Sequence, residues 1–171
     1  MRVTTENYCC FTGLRPQKLN FKEDSKKHNI IMSRCEKYII QLIEGYNVTN
    51  FISGMALGWD IWCAEEILKL RDRYSSISLE CAIPCLGQDK YWSESDKHRY
   101  VEILSKADNI IQMQEKYTSD CMIKRNLYMV DKSLYVFALW DRQVGGTAST
   151  IKYALEKERR IIIINPITSE I

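Results

Sequence analysis

Four short stretches of the sequence combine glycine with hydroxyl, charged or aromatic residues, and each directly follows an apolar run. They are TGLRP at residues 12–16, SGMALGWD at 53–60, PCLGQ at 84–88 and WDRQVGGTAST at 140–150. Glycine lets a backbone turn sharply and approach a ligand closely. Serine, threonine and the free N–H groups of a helix start hold phosphate. The stretches therefore predict a site for a phosphorylated ligand, although the same residue types also serve as turns and helix caps.

The candidate ligand-binding residues come from these stretches, from Trp92 shortly after the third, and from the basic segment at residues 124–126. Arg15 is predicted to pair with a phosphate, Asp60 to accept a hydrogen bond from a ribose hydroxyl, and the tryptophans to stack on a base. A helix-capping role for Asp60 and a packing role for each tryptophan stay open. The full set is Thr12, Gly13, Arg15, Ser53, Gly54, Gly58, Trp59, Asp60, Trp92, Arg125, Asn126, Trp140, Asp141, Gly145, Gly146 and Thr147.

Several well-known catalytic and metal-binding signatures do not occur in the sequence. It contains no G-x-G-x-x-G, no G-x-x-x-x-G-K-[ST], no G-x-S-x-G and no H-E-x-x-H. The seven cysteines are irregularly spaced without a C-x-x-C pair, which predicts free thiols in a reducing cytoplasm. His28 and His98 lie in charged segments and are predicted to be solvated. We therefore expect no catalytic residue, no metal and no cofactor.

The elements that must position the candidate residues alternate along the chain. Apolar runs predict strands, and longer amphipathic segments predict helices. Strands are expected at residues 8–12, 48–53, 78–84, 109–113, 134–139 and 160–165, and helices at 30–43, 62–70, 94–107, 121–131 and 148–157. Gly45 is expected to stop the first helix.

This alternation predicts an α/β fold, a single Rossmann-like domain over residues 1–171, with a mainly parallel central sheet and helices on both faces. An α+β fold with antiparallel strands is the alternative. In parallel sheets, ligands bind beyond the carboxyl ends of the strands, which is where the four stretches fall.

Length, composition and charge indicate which kinds of partner the protein is expected to have. The 171 residues suit one domain, and 24 Lys and Arg against 22 Asp and Glu give a net charge of +2. This balance predicts that nucleic acid is an unlikely partner, although a local basic patch stays possible. No apolar run approaches the ~20 residues that span a bilayer, and no secretory signal begins the sequence. We expect a cytoplasmic protein without membrane contact, and the apolar residues of segments 30–43 and 101–107 predict a homo-oligomer.

The chain resembles the YpsA-like family of the SLOG superfamily, because six motifs follow the family order across nearly the whole sequence. They are CFTGLRP at residues 10–16, ISGMALGWD at 52–60, IPCLGQDKYW at 83–92, Ala107-Asp108, KRNLYMVDKS at 124–133 and GGTAST at 145–150. The second also resembles the S-G-x-A-x-G-x-D motif of DprA/Smf Rossmann-like domains. The resemblance implies a Rossmann-like sheet and a nucleotide or NAD-derived ligand, such as ADP-ribose or a cyclic ADP-ribose, in a bacterial or phage setting.

LOG phosphoribohydrolases belong to the same superfamily and carry the motif P-G-G-x-G-T-x-x-E after an upstream arginine. Arg125 stands where that arginine is expected, but Thr150 replaces the glutamate. Threonine does not stabilise an oxocarbenium-like transition state or activate water as a carboxylate does. We therefore expect a non-catalytic protein that senses or sequesters its ligand. The alternatives are a LOG-type nucleotide N-glycosidase using Asp60, Asp131 or Asp141, and a single-stranded DNA-binding module of DprA type.

Overall fold

Strands and helices alternate along residues 4–168, the part of the chain that the computed structural model describes. A short 3₁₀ helix over Pro16–Lys18 follows the first strand. The remaining elements in chain order are β1 (Tyr8–Gly13), α1 (Lys26–Tyr46), β2 (Asn50–Ser53), α2 (Trp59–Leu70), β3 (Ser78–Ile83), α3 (Glu94–Lys106), β4 (Asn109–Gln112), α4 (Cys121–Lys132), β5 (Tyr135–Leu139), α5 (Gly146–Glu156) and β6 (Arg160–Ile164).

The strands form one sheet in the order β4-β3-β2-β1-β5-β6, and every described pairing is parallel. The predicted α/β class and Rossmann-like sheet are confirmed, and the antiparallel alternative is wrong. Helices α1, α2 and α3 contribute to the larger core on one face, whereas α4 and α5 contribute to the smaller core on the other. The chain moves outward in one direction from β1 to β4 and in the other from β5 to β6. The order therefore reverses between β1 and β5, which is the switch point where such sheets bind ligands.

A buried tryptophan joins the start of α2 to the two strands at this switch point. The indole N–H of Trp59 donates to the carbonyl of Phe137 in β5 at 3.1 Å, and the two rings meet edge to face. Gly13 at the end of β1 leaves room for the indole, because a Cβ there would lie 2.5 Å from a Trp59 ring carbon. Gly58 immediately before it has a φ of +87°, which favours glycine. Trp59 thereby fixes the loop before α2 against β1 and β5.

A buried carboxylate positions α4 on the opposite face. Glu80 of β3 accepts hydrogen bonds from the Tyr128 hydroxyl at 2.6 Å, the Lys132 ammonium at 2.8 Å and the Asn109 amide at 2.9 Å. Tyr128 and Lys132 belong to α4, so two successive turns of this helix are held to the sheet. A buried carboxylate needs such partners, because desolvation without them costs several kcal/mol.

Two local expectations are wrong. His28 is buried, because its ring lies edge-on against Trp62 while its Nδ1 accepts from the backbone N–H of Asp24. Gly45 does not stop α1, which continues through Tyr46 and ends where Asn47 adopts a left-handed φ of 55°.

The seven cysteines are free thiols in the structure, and all are buried. Between residues 4 and 168, no helix has both the length and the apolar character needed to cross a bilayer.

Gly13→Ala tests the packing of Trp59 against β1. The new methyl group overlaps the indole, so we expect a loss of about 1–3 kcal/mol in the free energy of unfolding, measured by urea denaturation. Gly45→Ala is the matched control, because a Cβ there meets no atom within 4 Å and alanine favours a helix by up to ~1 kcal/mol. Equal midpoints for Gly13→Ala and the native protein would show that the indole does not need this space.

Candidate functional site

A cavity of about 360 Å³ lies at the carboxyl edge of the sheet, above the switch point between β1 and β5. We call it the carboxyl-edge pocket. Its walls are the loop after β1, the start of α2, the first turns of α4 and the loop that joins β5 to α5. Parallel strands bring these segments together, although they lie far apart in the sequence.

The structure brings together ten of the sixteen residues selected from the sequence. Those that line the pocket are Thr12, Gly13, Arg15, Asp60, Arg125, Asn126, Asp141, Gly145, Gly146 and Thr147. The remaining six lie outside its lining, namely Ser53, Gly54, Gly58, Trp59, Trp92 and Trp140.

The N-terminus of α5 forms one wall of the pocket. Gly145 precedes the helix with φ 149° and ψ −166°, a backbone conformation that essentially only glycine adopts. As the N-cap residue, Gly145 has no side chain that could make a capping hydrogen bond. The first-turn N–H groups of Gly146, Thr147 and Ala148 thus lie beside the cavity, where the helix dipole favours an anion.

Arg125 of α4 supplies a buried positive charge. Its side chain is 3% exposed and lines the pocket. One guanidinium nitrogen donates to the carbonyl of Gly54, and Nε donates to Oδ1 of Asn126 at 2.8 Å. Within residues 4–168 the group forms no salt bridge, and burial lowers the pKa of Arg125. Its hydrogen bonds go to neutral oxygens, and the nearby Asp60 carboxylate opposes the effect of burial on the pKa of Arg125. An anionic ligand would offset the remaining desolvation of this cation.

Asp60 is the buried carboxylate of the pocket. Its Oδ2 accepts from the backbone N–H of Ala56 at 3.3 Å. Burial raises the pKa of Asp60 to about 6, and this outweighs the opposing effects of Arg125, the Ala56 N–H and Arg15. The charge on this carboxyl group therefore changes near neutral pH, which alters the field around Arg125.

The loop after β1 provides exposed cations at the pocket mouth. The Arg15 guanidinium donates to Sδ of Met122 at 3.1 Å, which links this loop to α4. Lys18 also lines the cavity, and its Nζ lies 3.1 Å from where a Cβ on Gly145 would be. Sequence reasoning missed Lys18, even though it follows Arg15 by three residues in the same loop. It also missed Leu14, Gln17, Ala56, Met122, Ile123, Gln143, Val144 and Ala148.

The residues outside the pocket shape its loops instead of lining it. Ser53 is buried, donating to the carbonyl of Asp60 at 2.8 Å and accepting from the N–H of Met55 at 3.1 Å. Gly54 supports Arg125 through its carbonyl, and a Cβ on Gly54 would lie 2.7 Å from the guanidinium. Trp59 is not placed to stack on a ligand in this pocket, because its indole is fully buried.

The other two tryptophans that were expected to stack on a base also make internal contacts. Trp92 packs edge to face on Tyr100 with ring centres 5.2 Å apart. Trp140 donates its indole N–H to the carbonyl of Gln143 at 2.9 Å. Neither ring lines the carboxyl-edge pocket.

The pocket contains groups that could donate to an anion, namely Arg125 and the first-turn N–H groups of α5, and its acidic lining residues are Asp60 and Asp141. Thr150, at the position of the LOG glutamate, is buried and donates its hydroxyl to the carbonyl of Gly146 at 3.0 Å. It does not line the pocket. In the part of the chain that is described, no three His, Cys, Asp or Glu side chains gather as metal ligands do.

Comparison with known proteins identifies a family and relatives to which this chain is similar. The YpsA model, described as the YspA SLOG family, matches residues 9–167. A UPF0398 protein of Bacillus pumilus is 31% identical over 139 residues, which cover 80% of this chain and 74% of the relative. A UPF0398 protein of Bacillus cereus strain ATCC 14579 is 29% identical over 153 residues, covering 88% and 83% of the two chains. The resemblance recognised in the sequence is confirmed.

Two solved structures share the fold. DNA processing protein A (DprA) from Streptococcus pneumoniae superposes with a TM-score of 0.65 at 19% identity, covering 92% of this chain and 50% of that chain. The Helicobacter pylori protein, described for its single-stranded DNA binding mode, gives a TM-score of 0.61 at 18% identity, covering 95% and 67%. This chain therefore spans half of the pneumococcal protein.

The expectation that nucleic acid is an unlikely partner is wrong. A protein described as binding single-stranded DNA contains the fold of nearly this whole chain. The net charge of +2 sums the whole surface, whereas binding of nucleic acid depends on where cations are concentrated.

Asp60→Asn tests the buried carboxyl group through the pH dependence of stability. Because burial raises the pKa of Asp60 to about 6, the folded protein binds this proton more tightly than the unfolded chain does. The stability that this group contributes is therefore full below about pH 4, falls between about pH 4 and 6, and stays low above that range. We expect the unfolding free energy of Asp60→Asn, relative to the native protein, to rise by about 3 kcal/mol across this window.

Urea denaturation at several pH values measures this difference directly, since the other titrating groups are common to both proteins. A difference that is independent of pH would contradict the raised pKa of Asp60.

Proposed function

This chain belongs to the YspA SLOG family, and we propose that it binds a phosphate group of a single-stranded nucleic acid in the carboxyl-edge pocket. The observation that carries the proposal is the buried Arg125 guanidinium, which has no salt bridge within residues 4–168 and lines a cavity of about 360 Å³. In this assignment Arg125 and the first-turn N–H groups of α5 bind the phosphate oxygens.

The choice of a single strand rests on two supports. The loop after β1 adds the cations of Arg15 and Lys18 at the open side of the pocket, where a chain of phosphates continues beyond the bound one. The fold likeness to DprA, including the H. pylori protein described for single-stranded DNA binding, points in the same direction. Binding in this proposal is non-catalytic, because Thr150 stands outside the pocket in place of a LOG glutamate.

A free nucleotide or NAD-derived molecule such as ADP-ribose is the second candidate. The observation that favours it is Asp60, a buried carboxylate that lines the same cavity as Arg125. A carboxylate is a good acceptor for a ribose hydroxyl, whereas phosphates alone do not need one.

The predicted homo-oligomer is independent of either ligand and stays a prediction.

Arg125→Met tests the proposal, because methionine keeps much of the side-chain volume without the charge. We expect its affinity for a labelled oligothymidylate of about 15 nucleotides to fall by on the order of a hundredfold, since charge-assisted hydrogen bonds are lost. Its stability in urea should change little, because relief from burying a cation is opposed by loss of the hydrogen bonds to Gly54 and Asn126 and of the attraction to Asp60. Fluorescence anisotropy at one fixed salt concentration provides the measurement.

Two further variants control this experiment. Lys152→Met removes one charge from the exposed side of α5 and should bind like the native protein. Arg125→Lys keeps the charge but loses the planar fork, so its affinity should be intermediate. Native-like affinity of Arg125→Met would overturn the phosphate site.

Competition by ADP-ribose distinguishes the two candidate ligands. If the oligonucleotide binds and ADP-ribose does not displace it, the single strand is supported. Saturable binding of ADP-ribose without any binding of oligonucleotide would favour the second candidate, and recovery of the nucleotide in cleaved form would contradict a non-catalytic role.

A further inference from the structure

The outward side of α1 carries several cations. Lys26, Arg34 and Lys37 line one shallow groove together with Asn29, Ile30 and Ser33, and we call it the α1 groove. The spacing of these residues places them along one side of the helix. Lys26 and Lys37 are exposed and Arg34 is half-buried. None of the three cations forms a salt bridge within the described residues 4–168.

The carboxylates of α1 are engaged away from this groove. Glu36 pairs with Lys69 of α2 at 3.7 Å, and Glu44 pairs with Arg73, just beyond α2, at 3.8 Å. Neither glutamate lines the α1 groove. The charges of α1 are thus segregated, with acids toward α2 and only positive charges among the described residues that line the groove.

The α1 groove begins at the edge of the sheet that holds the carboxyl-edge pocket. β1 ends at that edge, so α1 starts there, with Lys26 as its first residue. The connecting loop passes through Lys18 in the pocket lining, and Lys27 donates to Oδ1 of Asn20 at 3.0 Å, which joins the loop to the first turn of α1. From Lys26 to Lys37 the helix rises by roughly 16 Å. That length matches about five stacked nucleotides of a single strand.

We propose that the α1 groove binds the phosphodiester backbone of the single-stranded nucleic acid where the strand leaves the carboxyl-edge pocket. This inference rests on the proposed function and extends it from one phosphate to a continuous strand. Lys26, Arg34 and Lys37 each neutralise a phosphate along this length, and Asn29 and Ser33 donate hydrogen bonds to phosphate oxygens. Ile30, with 42% of its surface exposed, packs against sugar or base.

The test compares a triple variant, K26Q/R34Q/K37Q, with a control triple, K106Q/K116Q/K152Q. Both remove three positive charges, and the control residues are exposed and lie outside both the groove and the pocket. Each protein is titrated with oligothymidylates of about three and about 15 nucleotides, from ~50 to ~200 mM salt. Urea denaturation checks that both triples are folded.

We expect the groove variant to bind the longer oligonucleotide on the order of tenfold more weakly than the control does. The slope of log affinity against log salt should fall by about 2, corresponding to three lost phosphate contacts on a single strand. Binding of the short oligonucleotide should be unchanged, because it fills the pocket without reaching the groove.

Other outcomes separate the two proposals. Equal affinity of both triples for the longer oligonucleotide, with a loss in Arg125→Met, would overturn the groove and leave the pocket standing. No binding of either oligonucleotide by the native protein would overturn both. If the groove variant loses binding only to phosphatidylserine vesicles, the groove binds a membrane surface and the inference is wrong.

Discussion

The buried Arg125 guanidinium, which forms no salt bridge within residues 4–168, is the group on which the proposed site depends. Transfer of a cation from water into a protein interior costs several kcal/mol, and partial compensation here comes from the Gly54 carbonyl, the Asn126 amide oxygen and the nearby Asp60 carboxylate. The absence of a side chain at residue 54 allows this contact, since a Cβ there would meet the guanidinium at 2.7 Å. The N-terminus of α5 adds a second source of positive potential across the cavity. Together they supply the donors that the proposed phosphate would use.

The remainder of the fold holds these two groups in one place. Glu80 ties α4 to the sheet through Tyr128 and Lys132, and so fixes the helix that carries Arg125. Trp59 anchors the loop before α2 to β5, which sets the position of Asp60 one residue further on. Because β1 and β5 are adjacent at the switch point, the loops that follow them meet over the same cavity.

Much of this arrangement is readable from the sequence, because buried parallel strands are nearly continuous apolar runs and the loops at their carboxyl ends share one edge. That reasoning places Arg15, Arg125 and Gly145 together. It does not give the direction in which a loop side chain points. Trp59 lies in a glycine-rich segment, yet its indole fills the space beside Gly13 and is buried in the core.

The sequence likewise does not show that a polar side chain is buried when its hydrogen-bond partners come from distant segments. Glu80 lies in a strand whose apolar character was clear, but its partners on α4 and β4 are set by the sheet order. The prediction from net charge that nucleic acid is an unlikely partner failed for a related reason. A sum of +2 does not show that cations are concentrated along α1 and around the pocket. Local charge, and not its total, governs contact with phosphates.

The most direct measurement is a crystal structure of the protein with a short oligothymidylate. We expect one phosphate within about 3 Å of the Arg125 guanidinium and in contact with the first-turn N–H groups of α5. An oligonucleotide bound elsewhere on the surface, with Arg125 contacting no phosphate, would contradict it.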